Sequence, residues 1–172
     1  MTCDDRWVSG DGGPTIVLQA GAVEHWQGAN DFDNSLMQGG SVETDYDVIC
    51  RDHELVQVLE RHGRDLIVLS DCEWTSCVLP STDERVLILQ IFGTDRAPEE
   101  LAAHLLTLPP ERTLPFRQHD DSLRLMVGAD SEIGGLTYPV VDVPCPPGQK
   151  VCEIYSNEEG LLLVLRHATT GA

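Results

Sequence analysis

The residue types able to do acid–base, nucleophilic or metal chemistry are all present in this chain, but they do not fall into a working pattern. Six histidines, His25, His53, His62, His104, His119 and His167, are scattered, and none makes an HExxH pair or stands at a regular interval from a second ligand. Among the six cysteines, four residues separate Cys72 from Cys77 and six separate Cys145 from Cys152, so only the first pair reaches the outer limit of a zinc knuckle. Buried, apolar-like thiols are the expectation instead. Asp31 and Asp33 begin like a calcium loop, yet Leu36 stands where that loop turns on glycine and Val42 where it needs a bidentate glutamate. Gly10-x-Gly12-Gly13 is followed by Pro14, without the lysine and hydroxyl residue of a phosphate loop, and reads as a turn. His119-Asp120-Asp121 reads as a solvated turn, and no G-x-S-x-G elbow occurs. No catalytic residue, metal ligand or cofactor is therefore expected. A Cys/His or Asp/His site assembled only by folding stays open as the enzyme alternative.

What does stand out is charge. Lysine and arginine total 11 against 29 aspartate and glutamate, a formal net charge of −18. Such a surface repels phosphate, so no direct nucleic-acid partner is expected and a cationic partner is favoured. Acidity that serves only solubility fits the same composition. The segment from Ala29 to Glu54 concentrates the charge, with seven acids (Asp31, Asp33, Glu43, Asp45, Asp47, Asp52 and Glu54) against Arg51. Trp26, Phe32 and Tyr46 lie in or beside it, and aromatics ringed by polar groups are typical of binding hot spots. Core aromatics on a solvated acidic face would leave the same trace.

These residues must be positioned by an α+β domain. With 172 residues, 41% of them apolar, the chain suits a single domain with its own core. No apolar run approaches the roughly 20 residues of a membrane span, and Met1 to Arg6 lacks the features of a signal peptide, so a location inside the cell and no membrane contact are expected. Arg6 to Val8 and Thr15 to Leu18 look like two short strands around a glycine turn. A short helix is expected over Ala20 to Trp26. A second starts at Thr44, with Asp47 three residues on as a capping partner. Leu55, Val56, Val58 and Leu59 before Gly63 suit either a continuing helix or one arm of a hairpin turning at His62-Gly63, and the hairpin is the reading taken. Leu66 to Leu69, Trp74 to Leu79 and Arg85 to Phe92 read as consecutive antiparallel neighbours. Pro98-Glu99-Glu100-Leu101 opens the clearest helix, which Pro109-Pro110 stops and which should cover one face of the sheet. Five more short strands follow: Thr113 to Gln118, Leu123 to Val127, Tyr138 to Val143, Val151 to Tyr155 and Leu161 to Arg166. Tyr155 to Gly160 reads as a hairpin loop. Many strands without regular βα alternation imply a mainly antiparallel sheet with two or three helices.

Arg6-Trp7-Val8, Gly12-Gly13-Pro14 before an apolar strand, Trp26-x-Gly28, Asp45-Tyr46-Asp47 with Cys50, Trp74, Leu79-Pro80, and Tyr155-x-x-Glu158 before Gly160-Leu161 follow one another in an order that resembles the immunity protein 21 family. The likeness runs through most of the chain and departs from the family at Leu55 to Leu59, where a shorter, more glycine- and proline-rich strand is usual. It implies a cytoplasmic antidote of a bacterial polymorphic toxin system, which binds and blocks its cognate toxin domain without catalysis of its own. A basic toxin acting on nucleic acid would suit the charge. On this reading the toxin-binding residues are Trp26, Asp31, Asp33, Glu43, Asp45, Tyr46 and Asp47, joined by Glu158 and Glu159. Charge reversal at Asp45 and Asp47 is expected to weaken toxin binding and spare the fold. A general protein-binding module is the remaining alternative, and the oligomeric state is left open.

Overall fold

The computed structural model describes residues 6–8, 13–29, 43–51, 54–70, 75–81, 84–130 and 139–168. Eleven strands and three short helices are found among them. The strands are β1 (Trp7–Val8), β2 (Thr15–Gln19), β3 (Val56–Arg61), β4 (Arg64–Leu69), β5 (Thr75–Leu79), β6 (Val86–Ile91), β7 (Arg112–Gln118), β8 (Ser122–Val127), β9 (Val141–Pro144), β10 (Gly148–Ser156) and β11 (Gly160–His167). The helices are α1 (Ala20–Val23), α2 (Asp45–Ile49) and α3 (Pro98–Leu105). The strands pair antiparallel throughout, in a six-stranded sheet of order β1-β5-β6-β11-β10-β7 and a five-stranded sheet of order β3-β4-β2-β8-β9. The α+β class expected from the sequence holds.

The two sheets face each other across one apolar cluster, and helices cover their outer faces. Along β11, Leu161, Leu163 and Leu165 point into the space between the sheets. Leu162 and Val164 point the other way, against Leu101, Ala102 and Leu105 of α3. Along β2 and β4, Val17, Ile67 and Leu69 join the shared cluster, whereas Ile16, Leu18, Leu66 and Val68 meet Ala22 and Val23 of α1, Ile49 of α2, and Trp26. Burial on both faces explains why these strands are nearly continuous apolar runs and not alternating ones. Helix α3 starts with proline and two acids and buries Leu101 and Leu105 on the sheet, as its sequence predicts. Two buried leucines contribute about 3–6 kcal/mol.

Some expected neighbours are not neighbours. Strands β1 and β2 do not form a hairpin: β1 pairs with β5 in one sheet and β2 with β4 and β8 in the other. All five residues of β2 are buried, which requires a central position with sheet or helix on every side, while β1 is two residues at an edge. Likewise β5 pairs with β6 but β4 lies in the opposite sheet. The hairpin at His62-Gly63 is present. Both residues have positive φ, 52° and 69°, the combination a tight two-residue hairpin turn requires. The β10–β11 hairpin closes through Asn157, whose side-chain oxygen accepts from the Glu159 and Gly160 amides. Strand β9 begins at Val141, and its expected start at Tyr138 lies outside the described residues.

At one corner, side chains tie the two sheets together. The Gln19 amide, fully buried at the end of β2, donates to the carbonyls of Asp65 and Arg117 (2.8 Å each) and accepts from the His119 amide (2.6 Å). The Asp65 carboxylate accepts from the Arg117 amide at 2.7 Å.

Candidate partner-binding surface

The acidic segment is anchored by α2. Thr44 caps this helix as its sequence predicts: its hydroxyl accepts from the Asp47 amide (3.2 Å), and the Asp47 carboxylate accepts from the Thr44 amide (2.9 Å). Asp47 thus stays exposed while holding the first turn. Asp45 does not face solvent at all. Its carboxylate, 1% exposed, accepts from the Gln27 amide (3.0 Å) and from Arg61 through Nε (2.7 Å) and Nη2, and lies 2.7 Å from His62 Nε2. One acid therefore ties α2 both to the segment after α1 and to the β3–β4 turn. The expected charge reversal at Asp45 would place a cation beside Arg61 inside the protein, so this position cannot serve as a surface contact that spares the fold.

The aromatics are also structural. Trp26 is fully buried, with Nε1 donating to the Gly128 carbonyl at 3.0 Å, so it is a core residue and not a surface anchor. Tyr46 is half-buried, and its ring lies against Gly13, where a Cβ would collide with it. Gly28 has no room for a Cβ beside the Ala129 carbonyl. Gly13, Trp26, Gly28, Asp45 and Tyr46 thus meet in one packed assembly. Glu43 pairs with Arg51. Asp31 and Asp33 lie outside the described residues.

Glu158 and Glu159 lie away from this assembly, on the β10–β11 turn of the other sheet. Glu158 is exposed. Glu159 accepts from Thr94 Oγ1 and Arg96 Nε, both at 2.9 Å, and these hydrogen bonds hold its carboxyl below the ordinary glutamate value. It fastens the hairpin to the chain before α3. Asp120, expected in a solvated turn, accepts from Gly21 N (2.8 Å) and from Arg64. Burial opposes its ionisation, but these donors outweigh burial and hold the carboxyl below its usual value.

A pattern in the cations emerges that no local motif announces. Eight of the ten arginines make an ion pair with an aspartate or glutamate of this chain, among them Arg61 with Asp45, Arg64 with Asp120, Arg124 with Asp142 and Arg166 with Glu153. The one lysine, Lys150, is 2% exposed with Nζ 2.9 Å from His167 Nε2. Positive charge is spent on the protein's own acids, and a surplus of carboxylates, Glu24, Glu60, Glu84, Asp95 and Glu100 among them, remains at the surface. Sequence reasoning also missed a groove of about 480 Å³ between the edges of β3 and β7, rimmed by Glu54, Glu60 and Asp65. Its walls come from the β3–β4 hairpin and from β7, far apart in the chain, so no local signal marks it.

Reactive groups are not gathered in comparable fashion. Cys77, Cys145 and Cys152 are buried, as expected of the thiols, while Cys50 is exposed. Burial raises the Cys145 thiol and pushes Cys152 up to about 12, keeping both protonated at neutral pH. Among the described residues no group of three or more His, Cys, Asp or Glu is placed to hold a metal ion, and no helix is long and apolar enough to cross a membrane. The molecule is thus a helix-covered, two-sheet α+β protein with an acidic exterior. No known protein family, curated protein or solved structure matches the chain.

Proposed function

We propose that this chain is a cytoplasmic immunity protein that binds a cognate bacterial toxin domain and neutralises it by contact, without catalysis. One observation carries this reading: eight of the ten arginines are ion-paired within the protein, which leaves a surplus of carboxylates facing outward, suited to a cationic partner. An outward field of one sign raises the rate of encounter with an oppositely charged protein and discourages wrong partners. The ordered motifs resembling the immunity protein 21 family support the same reading, and a basic nuclease is the kind of toxin that suits it. The enzyme alternative has a geometric candidate in the Asp45–His62 pair. Its carboxylate is already committed to Arg61 and to the Gln27 amide, the arrangement of a structural tie.

Co-expression with a toxin domain encoded beside this gene, followed by affinity capture, tests the proposal. A stable complex is expected whose affinity falls about tenfold or more as salt rises from 50 to 300 mM, because screening removes the long-range attraction. A toxin domain that is acidic, or an affinity indifferent to salt, overturns the electrostatic basis. Substrate turnover by the purified chain overturns the whole reading.

A further inference from the structure

Sheet edges expose unpaired backbone groups and are normally shortened, covered or blunted. Among the described residues, three of the four edges are. Strand β1 has two residues, and β9 has four and ends in Pro144. On β7 three successive outward positions offer no free donor: Pro115 has no N–H, the Arg117 amide donates to Asp65 (2.7 Å) and the His119 amide just beyond donates to Gln19 (2.6 Å).

Strand β3 differs, because it runs for six residues as the edge of the five-stranded sheet. Its hydrogen-bonding phase follows from the turn. Ser70 N donates to Leu55 O at 3.0 Å, and Arg61 stands opposite Arg64 across the two-residue turn. Residues 55, 57, 59 and 61 therefore bond inward to β4, and Val56, Val58 and Glu60 direct N–H and C=O outward. The 480 Å³ groove touches Gln57, Val58, Leu59 and Glu60 in succession, facing Leu114 and Pro115 of β7. Successive residues point to opposite faces of a sheet, so a groove lined by all four runs along the strand edge and not over one face. The outward residues span about 13 Å, room for four or five residues of an added strand.

Charge selects the occupant. Glu54, Glu60 and Asp65 line the groove, and its one cation, Arg112, is bonded to Glu54 at 2.8 Å. A second copy of this chain would bring the same acids against these and be repelled. At the groove wall Gln57 is 6% exposed, and its buried amide Nε2 has no acceptor among the described residues.

We infer that the β3 edge takes up an extended segment of the protein partner, with basic residues on the acid rim and apolar ones toward Val58 and Leu114, as a further strand of the five-stranded sheet. This rests on the partner-binding reading and assigns it a place and a mode.

The first test uses the full chain with two blocked octapeptides, one alternating lysine with valine and the other glutamate with valine. The lysine peptide is expected to slow amide exchange of Val56, Val58 and Glu60 at least tenfold, and the glutamate peptide to leave it unchanged. Equal effects of both peptides, or protection confined to another part of the surface, overturn the inference. The second test measures toxin-domain affinity of Glu60→Lys, a surface change, and of Val58→Pro, which removes an outward N–H without breaking a bond to β4. Each is expected to lose at least tenfold in affinity with its circular dichroism unchanged. If both bind the toxin domain as the parent does, partner binding stands and the β3 site is wrong. If the parent captures no toxin domain while the lysine peptide still protects β3, the edge site stands and the identity of the partner is wrong.

Discussion

Asp45 shows how a single carboxylate in an acidic run can do structural work. Removing it from water is costly, and the donors converging on it from Gln27 and Arg61, with His62 alongside, offset that cost. Asp45→Ala would leave Arg61, 33% exposed and able to regain some water, without its counter-charge. The expected loss is about 2–3 kcal/mol, less than the roughly 3–5 kcal/mol of a fully buried pair because Arg61 is partly solvated. In a thermal melt this is a fall of roughly 4–12 °C for a chain of this length. A melting point within a degree of the parent would show that the contact contributes little. Gly28→Ala is expected to destabilise as well, because the added methyl meets the Ala129 carbonyl, a backbone atom that cannot swing aside. Denaturant midpoints of the two proteins check this.

The β10–β11 hairpin is held on its outer face by a cross-strand ion pair. Arg166 donates to Glu153 through Nε (2.9 Å) and Nη2 (2.6 Å), and Tyr155 Oη donates to the same carboxylate at 3.1 Å. The arginine hydrogen bonds hold the Glu153 carboxyl below its ordinary 4.5. A group whose folded pKa is depressed stabilises fully above its unfolded value and loses that contribution as pH falls through the folded one. Glu153→Gln should therefore be less stable than the parent at pH 7, and the gap should close as pH drops below 4.5. Urea midpoints measured from pH 7 to pH 3 check this; a constant gap would mean that packing and not ionisation makes the difference.

For the molecule as a whole, a net charge of −18 means that folding gathers like charges together. Exposed ion pairs are worth little individually, so self-repulsion should outweigh their loss on screening. The melting temperature is therefore expected to rise by a few degrees between 20 and 300 mM sodium chloride, levelling off as the Debye length drops below about 10 Å. A falling melting temperature would mean that the ion pairs, including the partly buried ones at Asp45 and Glu153, govern salt response. The same charge disfavours contact between copies of the chain and, on the proposed role, would attract a basic partner.

Much of the secondary structure was legible in the chain itself. The Thr44-x-x-Asp47 capping box, the Pro98-Glu99-Glu100 helix start and the His62-Gly63 turn act between residues a few positions apart, and apolar runs such as Leu161 to Leu165 specify strands buried on both faces. Composition likewise determined the net charge. What only the tertiary structure decided is who pairs with whom. An apolar strand such as β4 satisfies its own geometry in either sheet, and its place beside β2 and β3 is set by packing across the whole sandwich. Ionic partners follow the same rule: Asp45 meets Arg61 sixteen residues on, and Asp120 meets Arg64 across fifty-six. An acid's exposure depends on such distant neighbours, so local charge density marked an acidic segment without telling the buried tie at Asp45 from the exposed Asp47 two residues on.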